Sequence, residues 1–295
     1  MFFIPRMVPV VIALLGLVAP AQAQKRVVAY VPNWVDLNVF SATIDYAKLT
    51  HINIAFENPI NAEGDLSFSS KNQVLINQAR TNGVKVLISI GGGAASGDKK
   101  LLARYFDLLA DAKRAGFAAK LADYVVQHEF DGLDVDIEGP SINTDYGAFI
   151  EDLAKLLKPK GKLLTAALSK GYGGNKVPDA TLAHFDFVNI MAYDGAGPWN
   201  PNAPGQHSSF EFATNNVAYW LKRGLPKSKA VLGCPSTAMA SGTPFARVTT
   251  ATRKSSRLIR VRRSWTKRAA RFGTTGFQQS GPRANTWSNK VSVES

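Results

Sequence analysis

The sequence predicts an α/β fold, a (β/α)8 TIM-type barrel with seven recognisable strands and the eighth missing. Three observations carry this. From residue 25 to 233, short apolar, β-branched runs alternate with helix-like stretches, the pattern of parallel strands joined by right-handed crossovers. Several runs end in polar or glycine-rich tips: Pro32-Asn33-Trp34, Gly91-Gly92-Gly93, Glu138-Gly139 and Tyr193-Asp194. An open doubly wound sheet would show the same alternation, but a barrel gathers its chemistry at C-terminal strand ends, so the tips favour the barrel. Finally, no internal repeat and no Pro- or Ser-rich linker interrupts the pattern before residue 233, which predicts one domain over 24–233.

In order, the strand candidates are VVAYV (27–31), HINIAF (51–56), VKVLISI (84–90), FDGLDVDIE (130–138), LLTAALS (163–169), FDFVNIMAY (185–193) and KAVLG (229–233). Amphipathic stretches lie between them. In the one from Leu101 to Gln127, Phe117, Leu121, Tyr124 and Val125 recur at helical spacing.

The two ends of the chain read differently. MFFIPRMVPVVIALLGLVAPAQAQ has an early Arg6, an apolar run from Met7 to Val18 and then Ala21-Gln22-Ala23, the pattern of a secretory signal over 1–23. The run is short of the ~20 residues a spanning helix needs, so no membrane association is expected after the signal is removed. Cys234 is the single cysteine, which excludes an intrachain disulfide and suits a secreted, bacterial-type enzyme that relies on its core. The histidines, His51, His128, His184 and His207, have no metal-ligand spacing, so neither a structural metal nor a cofactor is expected. Residues 234–295 carry 12 Lys and Arg against one acid, Glu294, and so hold most of the net charge of +13.

The fourth strand poses the functional question. Asp134, Asp136 and Glu138 alternate with Leu133, Val135 and Ile137, and strand side chains alternate faces. The three acids therefore share one face with Gly132, the barrel interior, and Glu138 stands at the mouth. Close carboxylates repel, which raises at least one pKa and can make a Glu a general acid. A Mg²⁺ or Ca²⁺ site is the alternative, but only Asp194 among other strand-tip acids could complete it. The glycines at 91–93 lack the following Gly-Lys-Ser/Thr of a phosphate cradle.

Asp131-Gly132-Leu133-Asp134-Val135-Asp136-Ile137-Glu138 resembles the DxxDxDxE signature of glycoside hydrolase family 18, the chitinases and related endo-N-acetylglucosaminidases. Ser89-Ile90-Gly91-Gly92 is similar to the family's SxGG motif at the end of the third strand, and Met191-Ala192-Tyr193-Asp194 to its MxYD motif at the end of the sixth. The likeness runs from about residue 26 to 233. It implies substrate-assisted, retaining hydrolysis of β-1,4-linked N-acetylglucosamine polymers. Glu138 would protonate the glycosidic oxygen, and the substrate's acetamido oxygen would attack the anomeric carbon. Asp136 would hold the acetamido N–H, Asp134 would share a proton with Asp136, Tyr193 would hold the acetamido oxygen, and Asp194 would support the site. Gly91, Gly92 and Met191 join the substrate-binding set through their motifs. Tyr30, Trp34, Phe56 and Trp199, at or just after strand ends, are candidate platforms for sugar faces, and each could equally be core.

After Gly233 this likeness stops abruptly, and RLIRVRR (257–263) would put arginines inside a barrel. Codons for Gly233–Thr250 and Arg271–Ser280, read one base out of register, can encode family-like sequence. The expectation is therefore an out-of-frame tail over 234–295, not a nucleic-acid arm, and an incomplete barrel with exposed edges on its first and seventh strands. Little or no activity is expected of the chain as it stands, and activity of a frame-restored one. The partner expected is chitin or another N-acetylglucosamine glycan, with the protein a monomer. The alternatives are a non-catalytic, lectin-like glycan binder, against which the retained Glu138 argues, or an inactive truncated product.

Overall fold

A computed structural model describes residues 25–236 and 290–294. The signal expected over 1–23 and most of the tail expected over 234–295, RLIRVRR included, lie outside the described residues.

Seven strands run parallel in chain order: β1 (Val27–Pro32), β2 (His51–Ala55), β3 (Lys85–Gly91), β4 (Gly132–Asp136), β5 (Leu163–Leu168), β6 (Phe187–Met191) and β7 (Ala230–Pro235). The ring is closed, but not by an eighth parallel strand. Its place is taken by β8 (Lys290–Glu294), antiparallel to both neighbours, with Val293 opposite Val27 on β1 and Glu294 opposite Val231 on β7. This corrects the expectation of exposed edges on β1 and β7. Their free backbone groups take a short antiparallel partner, which needs no crossover helix. The sequence signal is faint: five residues, KVSVE, alternating β-branched with polar.

The crossovers depart from the simple strand–helix alternation in two places. The stretch 101–127 is two helices, α4 (Lys99–Leu109) and α5 (Asp111–Gln127), because Ala110 turns extended between them and Asp98 caps α4 by accepting from the Lys100 and Leu101 amides. Between β5 and β6 the chain makes only 3-10 turns, Gly174–Lys176 and Asp179–His184, where Gly171, Gly173, Gly174 and Pro178 disfavour a longer helix. The remaining helices are α1 (Leu37–Phe40), α2 (Ser70–Thr81), α3 (Gly92–Gly97), α6 (Tyr146–Leu157) and α7 (Phe210–Lys222). No helix among the described residues is long and apolar enough to cross a membrane.

Two separate hydrophobic clusters follow from the strand period. Outward-facing Ile52, Ile54, Ile88, Ile90, Leu133, Val135, Ile137, Leu164 and Val188 pack against Leu75, Phe117, Leu121, Phe149, Leu153 and Trp220. Inward-facing Val28, Tyr30, Ala55, Ala167, Phe187, Met191, Tyr193 and Val231 form the smaller cluster inside the barrel. Gly132 is required where β4 meets β5, since a Cβ there would sit 2.3 Å from the Leu163 carbonyl oxygen.

Candidate active site

The inside of the barrel at β4 is built around Asp134, which is fully buried. Its Oδ2 accepts from the Tyr30 hydroxyl at 2.9 Å and the Ser89 hydroxyl at 2.7 Å. Its Oδ1 accepts from the Thr165 hydroxyl at 2.5 Å and the Asn189 amide at 3.5 Å. Asn189 also donates to the Tyr30 oxygen at 3.0 Å. Four strands other than β4 thus converge on one carboxylate, and a carboxylate is the side chain able to accept on both oxygens at once. Burial first, then the Asp134 and Asp136 carboxylates, push the Tyr30 phenol well above its ordinary pKa, which keeps it a donor. Ser89 was named only as the first residue of its motif, without a role, and Thr165 and Asn189 were not singled out from sequence. The signal was available: each is a polar residue at an inward position of an otherwise apolar strand.

Asp136, also fully buried, pairs in register with Gly91. Gly91 has φ +98°, and a Cβ there would meet the Asp136 carbonyl oxygen at 2.4 Å, so only glycine permits this approach. Both backbone groups of Gly91 are held by Asn58, whose Oδ1 accepts the Gly91 N–H at 2.8 Å while its Nδ2 donates to the Gly91 carbonyl at 3.1 Å. The Tyr105 hydroxyl donates to the same Oδ1 at 2.5 Å. Gly92 lies against the half-buried Phe56 ring, which a Cβ at that position would meet at 2.6 Å.

Glu138 lies two residues past the end of β4 in an extended conformation (φ −138°, ψ 163°) and is half-buried. Alternation therefore carries past the strand, and the acid stands above Asp136 at the C-terminal rim. Gly139 follows with φ +61°, and its N–H donates to the Tyr172 carbonyl at 3.2 Å. At the end of β6, Tyr193 is buried, and its ring lies 3.2 Å from where Gly233 would carry a Cβ. Asp194 is exposed beside it, within 3.1 Å of the His207 imidazole.

The expected substrate contacts divide. Trp34 and Trp199 are both 56% exposed after their strands, Trp199 folded against Gly197. Tyr30 and Met191 are instead 5% and 4% exposed, within the interior cluster, and the Tyr30 hydroxyl is engaged by Asp134. Tyr193 belongs to the same interior cluster and is buried to the same degree, at 6% exposed. The motif aspartate Asp131 serves the fold: its Oδ2 accepts the Val86 N–H at 2.7 Å at the foot of the barrel. Asp186 does the same for Leu164 at 2.8 Å.

Two buried acids thus lie inside the barrel on β4, with Glu138 two residues past the end of that strand and Tyr193 two residues past the end of β6. The family model described as "Glycosyl hydrolases family 18" matches residues 26–289, past the point at Gly233 where the sequence reading ends the likeness. A GH18 chitinase from the chitin utilization locus of Flavobacterium johnsoniae superposes with a TM-score of 0.65 at 36% identity, over 70% of this chain and 67% of that one. A class V chitinase of Arabidopsis thaliana is 30% identical over 68% of this chain and 59% of its own. A chitinase-like effector of Moniliophthora roreri is 28% identical over 75% of this chain and 61% of its own. The chain thus spans about six tenths of the length of these curated relatives. With the family model covering most of its length and the acids of β4 in the barrel interior, the chain belongs to family 18 of the glycosyl hydrolases.

Proposed function

We propose that the protein is a secreted glycosidase that cleaves β-1,4 bonds of chitin-like N-acetylglucosamine polymers by substrate-assisted, retaining hydrolysis. The observation that carries the reading is Glu138 standing half-buried at the rim, in line with buried Asp136 and Asp134 on one strand face. Glu138 protonates the leaving oxygen as the acetamido oxygen closes on the anomeric carbon to form an oxazolinium ion. Water then opens that ion, giving its proton back to Glu138, with net retention. Asp136 receives the acetamido N–H and offsets the developing positive charge. Asp134, fixed by four donors, holds the floor beneath Asp136. Tyr193 positions the acetamido oxygen, Asp194 braces Tyr193, and Trp34, Phe56 and Trp199 meet apolar sugar faces. Export rests on the leader over 1–23, and the tail over 234–295 is read as out of frame.

The test is hydrolysis of N-acetylglucosamine oligomers of increasing length by the 295-residue chain and by the product of the frame-restored gene. Glu138→Gln should lower kcat by about 10³-fold with the fold intact. Unchanged turnover in that variant removes the mechanism. Strong, Glu138-dependent turnover by the 295-residue chain removes the expectation that its tail silences it.

A further inference from the structure

His207 was not among the residues singled out from sequence, yet it is tied to the backbone on both sides of Tyr193. Asp194 has φ +60°, a left-handed conformation uncommon outside glycine but one that Asp adopts more readily than most residues. The contacts that hold the turn come from His207 and its neighbour. The Asp194 N–H donates to His207 Nδ1 at 3.1 Å, and the Asp194 Oδ1 lies 3.1 Å from the same nitrogen. The Gly195 N–H donates to the His207 carbonyl at 2.9 Å, and the Ser208 hydroxyl donates to the Ala192 carbonyl at 2.6 Å. Residues 192, 194 and 195 are thereby stitched to 207 and 208, with Tyr193 at the centre of the stitch. The imidazole is 9% exposed, and its ring centroid is 6.4 Å from that of Tyr193. Nδ1 thus lies within hydrogen-bond reach of both the N–H and the carboxylate of Asp194 and ties that residue at one point. The loop between, 196–206, carries Trp199 and is closed at its base by these bonds, the form of an Ω-loop.

We propose that His207 is a positioning residue for the reaction: its Nδ1 holds Asp194 in the left-handed turn and so fixes the direction of the Tyr193 side chain. This rests on the proposed function, in which Tyr193 holds the acetamido oxygen as it closes on the ring. His207 acts through the peptide of Asp194 and touches no substrate. Its contribution is therefore to the closed, oxazolinium-like state rather than to capture of the open sugar.

The experiment compares binding of two probes to the full chain: tri-N-acetylchitotriose, and a thiazoline analogue of N-acetylglucosamine that mimics the closed ring. His207→Phe keeps a ring against Tyr193 and removes the acceptor. His207→Asn replaces the ring but returns an acceptor near the Nδ1 position. Phe should weaken thiazoline binding about tenfold and change chitotriose binding less than twofold, and Asn should restore thiazoline binding to within about threefold of the parent. Equal affinity of the Phe variant and the parent for the thiazoline overturns the proposal. So does an equal loss of both probes accompanied by a lower Tm, the signature of a merely structural role. A parent chain that binds chitotriose but shows no preference for the thiazoline overturns the substrate-assisted reading itself, and the His207 role with it.

Discussion

The outer and inner faces of the barrel sheet are made by the same strands, yet they obey different rules. Outward, β4 presents Leu133 and Val135 to the helices, within the large cluster of buried apolar side chains. Inward, the same strand presents Asp134 and Asp136, equally buried, and Asp134 is met by hydroxyl, phenol and amide groups from β1, β3, β5 and β6. The outer layer is bound by area removed from water, which tolerates exchange of one apolar shape for another. The inner layer is bound by directional bonds, where losing one acceptor strands several donors. Fold stability and site geometry therefore fail in different ways when adjacent residues are changed.

Asp134→Ala against Leu133→Ala, both made in the frame-restored protein, tests this on consecutive positions. The first removes the acceptor of Tyr30, Ser89, Thr165 and Asn189, and unsatisfied buried donors of this kind cost about 1–3 kcal/mol each, partly relieved by relaxation. We expect a loss of about 4 kcal/mol in urea unfolding and no detectable hydrolysis. The second should cost about 3 kcal/mol through a cavity, yet leave kcat per folded molecule within twofold. Equal effects of the two variants on kcat would dissolve the distinction between the faces.

The floor of the inner layer offers a smaller, pH-resolved test. His51 faces inward beside Phe187, with ring centroids 5.0 Å apart, and burial first, then Lys85 and Arg26, lower its pKa to about 4. The folded chain thus refuses a proton that the unfolded chain, with an ordinary histidine near 6.5, accepts. Its contribution to stability is intact above about pH 6.5 and is lost as pH falls toward 4. Between pH 7.5 and 4.5 the parent should lose about 2.5 kcal/mol more than His51→Leu in paired urea titrations. Parallel pH curves for the two proteins would place the acid sensitivity elsewhere.

The strand period made the outer layer readable from sequence: apolar residues at alternate positions of seven runs have one physical outcome. The acids of β4 were readable for the same reason, since a carboxylate every second residue has no bland place in a buried strand. Their partners were harder. Ser89, Thr165 and Asn189 sit singly in strands far apart in the chain, and only closure of the ring brings them to Asp134. Asn58 and His207 were illegible for another reason. Each acts on backbone groups of a strand tip across 33 and 13 residues, and side-chain-to-backbone bonds leave no pattern in composition or spacing. β8 was missed because five residues of alternation carry little information until two open edges wait for them.

Tyr30 marks where the two ways of reading meet, and its variant should have the mildest effect. As a strand-end aromatic it was a candidate sugar platform; in the structure its hydroxyl bridges Asn189 and Asp134 below the mouth. Tyr30→Phe keeps the ring and removes one link, while Ser89 still donates to Asp134 Oδ2. The expected loss is about 1 kcal/mol of stability, the net worth of one buried hydrogen bond. A supporting role predicts kcat down severalfold with KM within twofold, because the group acts on the buried carboxylate and not on the bound sugar. A platform role predicts little change for Phe, and a tenfold rise in KM with near-normal kcat for Tyr30→Leu, which retains apolar bulk but no ring face. Measuring both variants of the frame-restored protein on the same oligomer separates a residue of the inner layer from one of the cleft.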